Sequence, residues 1–216
     1  MNFEIARAQM IGQQVRASEV LDDRVLAVMR DTPREMFVND DERELAFADT
    51  EIPLGHGQMM LPPRLEGRLL QALQIDPIDE VLEIGTGSGY LTACLARLAH
   101  AVSSVDIFPD FVASSAQRLA RLDIHSVELT AIDGFALEHT SRFDAIAVTG
   151  SVPTLTEHFI DMLKPGGRLF IVVGRAPAME ACLVTMHPRG HWTRQDLFET
   201  VLAPLINAQQ PEPFIL

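Results

Sequence analysis

Basic residues are scarce in this sequence. Its 17 Lys and Arg stand against 30 Asp and Glu, a formal net charge of −13. A protein that grips a phosphate backbone needs clustered Lys and Arg. No such cluster occurs, which argues against nucleic acid as a partner. Cysteine is nearly missing too. Cys94 and Cys182 lie far apart within apolar patterns, which reads as two buried free thiols and not as a disulfide or a metal pair. No apolar run approaches the roughly 20 residues of a membrane span. The opening Asn2-Phe3-Glu4-Ile5-Ala6-Arg7 lacks the basic-then-apolar order of a secretory leader. There is no internal repeat, low-complexity tract or long linker. His100, His125, His139 and His158 are scattered, with no spacing that suits a metal. These absences describe a cytoplasmic protein without membrane, nucleic-acid or metal chemistry.

What is present suits one large domain, or one domain with a small helical appendage: 216 residues, 47% of them hydrophobic. Helical periodicity runs over residues 3–30 and stops at Pro33. Residues 47–63 carry Pro53, Gly55, Gly57, Pro62 and Pro63 without periodicity. That is a long loop for a compact domain, and a functional one is expected. A helix is expected over 64–73. From there the pattern alternates, with strands at 81–84, 101–105, 127–131, 143–148 and 168–173. Helices are expected at 90–98, 111–122 and 154–163. Alternation of this kind implies right-handed crossovers and a mostly parallel sheet. Two successive strands at 181–186 and 192–202 imply an antiparallel hairpin on its edge. The expected fold is α/β, Rossmann-like, with seven strands. Residues 1–76 form a helical cap with the active-site loop, and 77–216 form the core.

The chemistry centres on Val81-Leu82-Glu83-Ile84-Gly85-Thr86-Gly87-Ser88-Gly89-Tyr90. A strand runs into a glycine turn that opens a helix, so the backbone can approach a ligand closely. Asp106, at the end of the next strand, suits the two hydroxyls of a ribose. The glycine spacing separates two cofactor classes. Dinucleotide dehydrogenases use Gly-x-Gly-x-x-Gly and receive a pyrophosphate on the helix N-terminus. Here the order is Glu-x-Gly-x-Gly-x-Gly, and a carboxylate at Glu83 repels a pyrophosphate but accepts from an ammonium. S-adenosyl-L-methionine has that ammonium and no phosphate. Asp133-Gly134 follows the third strand, where an acid suits the adenine amino group. Gly85, Gly87 and Gly89 are expected to shape the methionine pocket.

The chain resembles the protein-L-isoaspartate O-methyltransferases over nearly its whole length. The resemblance rests on Pro33-Arg34-Glu35-x-Phe37-Val38, Ala46-Phe47-Ala48-Asp49, and Ile52-Pro53-Leu54-Gly55-His56-Gly57-Gln58. It continues through the glycine turn, Phe143-Asp144-Ala145-Ile146, Lys164-Pro165-Gly166-Gly167 and Ala203-Pro204-Leu205. The Gly-His-Gly-Gln loop is its family-specific part. The resemblance implies methylation of the α-carboxyl of isoaspartyl residues in damaged proteins. It also places Gln58, Met60, Leu61, Thr86, Ile107 and Gly134 at the cofactor, beside Glu83, Asp106 and Asp133. One departure matters. The family's Thr and active-site Ser align with Met59 and Leu61, and the polar position after the C-terminal Pro-Leu is Ile206.

No residue is assigned securely as catalytic. Asp49 and His56 are the candidates. Asp49 orients Gln58 or the substrate, or caps a turn. His56, between two glycines, acts in catalysis or closes the loop over the cofactor. His187 and His191 flank an expected surface turn. The altered loop leaves open an acceptor other than isoaspartate, either a modified peptide or a small metabolite, and a protein that binds the cofactor without turning it over.

Overall fold

The computed structural model describes residues 2–138 and 142–209, so His139 lies outside the described residues. The chain opens with α1 (Phe3–Met10), capped by Asn2, whose side chain accepts the Ile5 amide. A π-helical turn over Ile11–Val15 and a 3-10 turn over Arg16–Ser18 extend it. The single helical run expected over 3–30 is then broken. Glu19 enters the left-handed region at φ 67. Asp22 begins a new helix, α2 (Asp23–Asp31), by accepting the Arg24 and Val25 amides. Gln71 makes the break tolerable. Its Oε1 accepts the Leu21 and Asp22 amides and its Nε2 donates to the Glu19 carbonyl. Three backbone groups freed by the break thus find a partner.

Residues 47–63 are not the structureless loop expected. They hold a small antiparallel hairpin, β1 (Ile52–Gly55) and β2 (Gln58–Met60). Its turn keeps Gly55, His56 and Gly57 at φ 109, 52 and 70, a geometry that glycine at two of the three positions makes accessible. Helix α3 (Pro63–Leu73) follows, with proline at its first position.

The alternating part comprises β3 (Glu80–Ile84), α4 (Tyr90–Leu98), β4 (Ala101–Asp106), α5 (Pro109–Arg121) and β5 (Val127–Ala131). It continues as β6 (Phe143–Val152), α6 (Glu157–Ile160), β7 (Leu163–Arg175), β8 (Ala178–Met186) and β9 (Trp192–Glu199). The seven strands from β3 onward form one sheet in the order β5-β4-β3-β6-β7-β8-β9. The first five run parallel, and β8 and β9 close the edge antiparallel. This is the Rossmann-like sheet expected from the sequence.

Several elements differ in length: β6, β7 and β8 run beyond the expected 143–148, 168–173 and 181–186, and two others are shorter. The helix expected over 154–163 is the single turn α6, because β6 runs on to Val152 and Leu163 already pairs with Phe143. The strand expected over 192–202 stops at Glu199. Beyond it the chain crosses to β6, where the Ser151 amide donates to Ala203 and the Leu205 amide to Ser151.

Strand alternation sorts the core into two layers. Ala145 and Ala147 face a cluster that includes Met10, Val15, Leu26 and Leu69, while Ile146 and Val148 face a second that includes Phe159 and Leu163. Cap and sheet therefore share one apolar layer. From β3 the chain leaves to β4 on one side, and β6 returns on the other. In such sheets the crevice at the strands' carboxyl ends beside this switch is where ligands bind.

Candidate active site

A cleft open to solvent lies at that crevice, the place where small-molecule sites of open α/β sheets occur. Ile84, Gly85 and Gly87 belong to its β3 end, Asp106 to Phe108 to its β4 side, and Thr149 and Gly150 to β6. The hairpin contributes Leu54, Gln58 and Met59, and the crossing segment contributes residues 202–206. A second cavity, about 330 Å³, shares Leu54, Met59, Gly85, Gly87 and Thr149 with the cleft. It adds Met60, Leu61, Glu66, Glu83 and Thr86.

The glycine turn is built for close approach. Gly85, Gly87 and Gly89 lie at φ 98, 50 and 84. A Cβ at Gly85 would collide with the Thr149 hydroxyl, which lies 2.9 Å from both the Ile84 and Gly85 carbonyls. The turn is tied to Asp106: the Gly87 amide donates to its Oδ2 at 2.8 Å and the Phe108 amide to its Oδ1 at 3.0 Å. Burial raises the Asp106 pKa, and these amides oppose the rise.

Glu83 is fully buried. Its Oε2 accepts from the Thr92 and Ser104 hydroxyls at 2.5 Å each, and its Oε1 has no partner. Burial pushes its pKa up to about 8. An unsatisfied buried carboxylate oxygen is costly, so this one is placed to take a donor from a ligand. Among the described residues, no Lys, Arg or His lines the cleft or the second cavity, whereas Glu51, Glu66, Glu83, Asp106 and Asp133 do. This set of acceptors fits a cationic ligand without phosphate, which S-adenosylmethionine is.

A buried cation holds the lid from behind. Arg34 has no exposure, pairs with Glu66, and donates from Nη2 to the Leu61 carbonyl at 2.6 Å. Its guanidinium lies 4.6 Å from the centre of the Tyr90 ring. Burial pushes Glu66 up to about 7 against the opposing pull of Arg34.

The residues expected at the cofactor divide between the two spaces. Gln58, Gly85, Gly87, Asp106, Ile107, Asp133 and Gly134 line the cleft, and Met60, Leu61, Glu83 and Thr86 line the second cavity. Gly89 lines neither. It caps α4, and a Cβ there would strike Ser115. Asp133 already accepts the Phe135 amide at 2.9 Å and Asn207 Nδ2 at 2.8 Å. A carboxylate has about four acceptor positions, so room for an adenine amino group remains.

Both catalytic candidates lie off the cleft lining. Asp49 pairs with Arg64 at 3.1 Å. His56 meets Asp110 at 2.9 Å and stacks on Phe108 at 4.2 Å between ring centres. It pins the hairpin to α5, which supports the loop-closing alternative. His187 and His191 flank the β8–β9 turn, where the His187 amide donates to the His191 carbonyl.

Sequence reasoning passed over Thr149, Phe108 and Phe111. Thr149 was recoverable, since it directly follows Val148, the last β6 residue paired with β3 at the switch point. The aromatic pair offered no comparable signal. Met59 is 37% exposed and lines both spaces, while its neighbour Met60 is buried, because β2 alternates and Met60 pairs with Ile52.

Fold and site together define a Rossmann-like methyltransferase that uses S-adenosylmethionine. The family model for protein-L-isoaspartate(D-aspartate) O-methyltransferase matches residues 6–210. A protein-L-isoaspartate O-methyltransferase of Pelobacter propionicus is 35% identical over 211 residues, covering 96% of this chain and 93% of that protein. One from Methanoculleus marisnigri is 40% identical over 169 residues, covering 78% and 77%. The chain belongs to the protein-L-isoaspartate O-methyltransferase family. A Plasmodium falciparum chain assigned to the same activity, crystallised with S-adenosyl-L-homocysteine, matches with a TM-score of 0.78 at 21% identity. That match covers 92% of this chain and 97% of the other, and it is a likeness of fold. No helix among the described residues is long and apolar enough to cross a membrane.

Proposed function

We propose that this protein methylates the α-carboxyl of isoaspartyl residues in damaged proteins. What carries the reading is the family match across residues 6–210, which takes in the hairpin lid as well as the glycine turn. S-adenosylmethionine supplies an electrophilic methyl group on a sulfonium. Glu83 receives its ammonium, Asp106 its ribose hydroxyls and Asp133 its adenine amino group. Gln58, Met60 and Leu61 cover it from the hairpin, and Thr86, Ile107 and Gly134 complete the walls.

A carboxylate acceptor is already ionised at neutral pH, so the chain need not supply a general base. That agrees with His56 and Asp49 standing off the cleft. The protein's work is to position two reactants and exclude water. Met59 and Leu61, where the family has hydroxyls, remove an orienting hydrogen bond but not the reaction. Such a bond to a charged group is worth roughly 1.5–3 kcal/mol, about ten- to a hundredfold in rate.

A second reading keeps the donor and changes the acceptor to a more apolar peptide or small molecule. Exposed Met59 and Ile206 on the cleft lining favour it. The test is to incubate the protein with methyl-labelled donor and an isoaspartyl peptide, beside an aspartyl control and a Leu61→Ser variant. Label on the isoaspartyl peptide alone supports the proposal. Label on neither peptide with either protein refutes it. Recovery only in the variant favours the second reading.

A further inference from the structure

A third cavity, about 600 Å³, adjoins the cleft and shares Leu54, Gly87 and Phe111 with it. Among the described residues, one cation lines any of the three cavities, and it is Arg118 on α5. Its Nη1 donates to the Ser88 carbonyl at 3.0 Å. A guanidinium carries five donors in a planar fork, so most of its capacity is unused.

The other buried or half-buried arginines are all matched to acids. Arg7 pairs with Glu35, Arg34 with Glu66, Arg68 with Glu19, and Arg168 with Asp79. Arg118 joins no ion pair among the described residues. In a chain of net charge −13, a half-buried arginine that meets no acid marks a position kept for an anion from outside. Burial, and then Arg121, disfavour its charged form, a cost that an incoming anion would offset. The one acid on the cavity wall, Asp110, is bonded to His56 at 2.9 Å. Its negative charge opposes any incoming anion, a doubly charged phosphate more strongly than a single carboxylate. Asn39 and Asp110 are exposed, so the cavity opens to solvent, the side from which a peptide arrives.

We propose that this cavity is an acceptor subsite in which Arg118 receives the side-chain carboxylate of an Asp or Glu close to the isoaspartyl residue. The inference rests on the reading of the acceptor as a peptide. It makes Arg118 a specificity determinant: among the described residues the cleft offers the acceptor no cation of its own, and Arg118 supplies one beside it.

The experiment measures binding of labelled isoaspartyl peptides to protein saturated with S-adenosylhomocysteine. The peptides differ only by Glu or Gln at each of the two positions on either side of the isoaspartyl residue. At least one Glu peptide is expected to bind the wild type about tenfold more tightly than its Gln twin. Arg118→Met is expected to erase the difference and Arg118→Lys to keep part of it, with S-adenosylhomocysteine affinity unchanged in both. The wild-type comparison stands even if the Met variant folds poorly. Equal binding of every Glu and Gln pair overturns the proposal, as does a preference that survives in Arg118→Met. A loss of S-adenosylhomocysteine affinity in place of peptide discrimination overturns it too, since the carboxylate would then be the donor's own. Binding of no peptide at all overturns both this inference and the peptide reading beneath it.

Discussion

Glu83→Gln removes the charge of one buried carboxyl and little else, because the amide oxygen still accepts from Thr92 and Ser104. The wild-type group titrates at about 8 in the folded protein, and its Oε1 is free for a ligand. A charge-assisted hydrogen bond to the cofactor ammonium contributes roughly 1.5–3 kcal/mol, so above pH 8 the variant should bind S-adenosylhomocysteine about ten- to a hundredfold more weakly. Below pH 8 the wild type must first lose a proton. Two units lower, at pH 6, that deprotonation costs about 2.7 kcal/mol, nearly the whole gain, and the two proteins should converge. Calorimetric titration from pH 6 to 9 tests this, with roughly half to nearly one proton released per wild-type binding event near pH 7. The same group makes a stability signature. Between about 4.5 and about 8 the folded protein holds a proton that the unfolded chain has released. Stability therefore falls as pH rises through that window, by up to about 1.4 kcal/mol per unit, and Glu83→Gln flattens that slope. Wild-type affinity that is level from pH 6 to 9 and equal to the variant's would refute the placement of the ammonium at Glu83.

Three further outcomes follow from the same geometry. Gly85→Ala places a Cβ against the Thr149 hydroxyl at φ 98, so S-adenosylhomocysteine affinity should drop at least about tenfold, with lower thermal stability. Arg34→Met leaves the buried Glu66 carboxyl without its partner and should cost up to about 3–5 kcal/mol in urea unfolding, least where Glu66 takes up a proton; Arg34→Met with Glu66→Leu should recover most of it. His56→Ala should leave kcat within about twofold, because the ring lies off the cleft; a loss beyond roughly a hundredfold would restore His56 as a catalytic group.

The fold was legible because its elements are punctuated locally. The strand Val81 to Ile84 and the helix from Tyr90 are separated by glycines that only a tight turn requires, and β6 and β7 carry unbroken apolar runs at Ala145–Val148 and Leu169–Val173. The misreadings share one cause, hydrogen bonds that hydrophobic periodicity does not record. The break at Glu19 is stabilised by Gln71, about fifty residues away, and the hairpin within 47–63 is held by cross-strand bonds that periodicity does not register. At the site, the placing of Glu83 and Asp106 on the cavity walls was legible because each lies at the carboxyl end of a strand beside the switch point. Phe108 and Phe111 were not, because aromatics at a helix start read as core until the hairpin that covers them is known.

The lid's composition bears on how this enzyme meets its acceptor. β2 alternates, so Met59 turns to the cleft and Met60 to the core. Leu61 is then held in place through its own carbonyl by Arg34. The backbone that would present the family's two hydroxyls is thus anchored, while its side chains offer only apolar surface. An incoming carboxylate loses water against Met59 and Leu61 without gaining a hydrogen bond from them, which raises the cost of binding. It also leaves that carboxylate less solvated beside the sulfonium, where the opposite charges attract more strongly in a drier site. The two effects fall on different kinetic constants. Leu61→Ser should therefore lower KM for an isoaspartyl peptide, by up to about tenfold, and raise kcat by less. A variant that raises kcat at constant KM would mean that the missing hydroxyl acts in the transition state and that the apolar lid confers no compensating advantage.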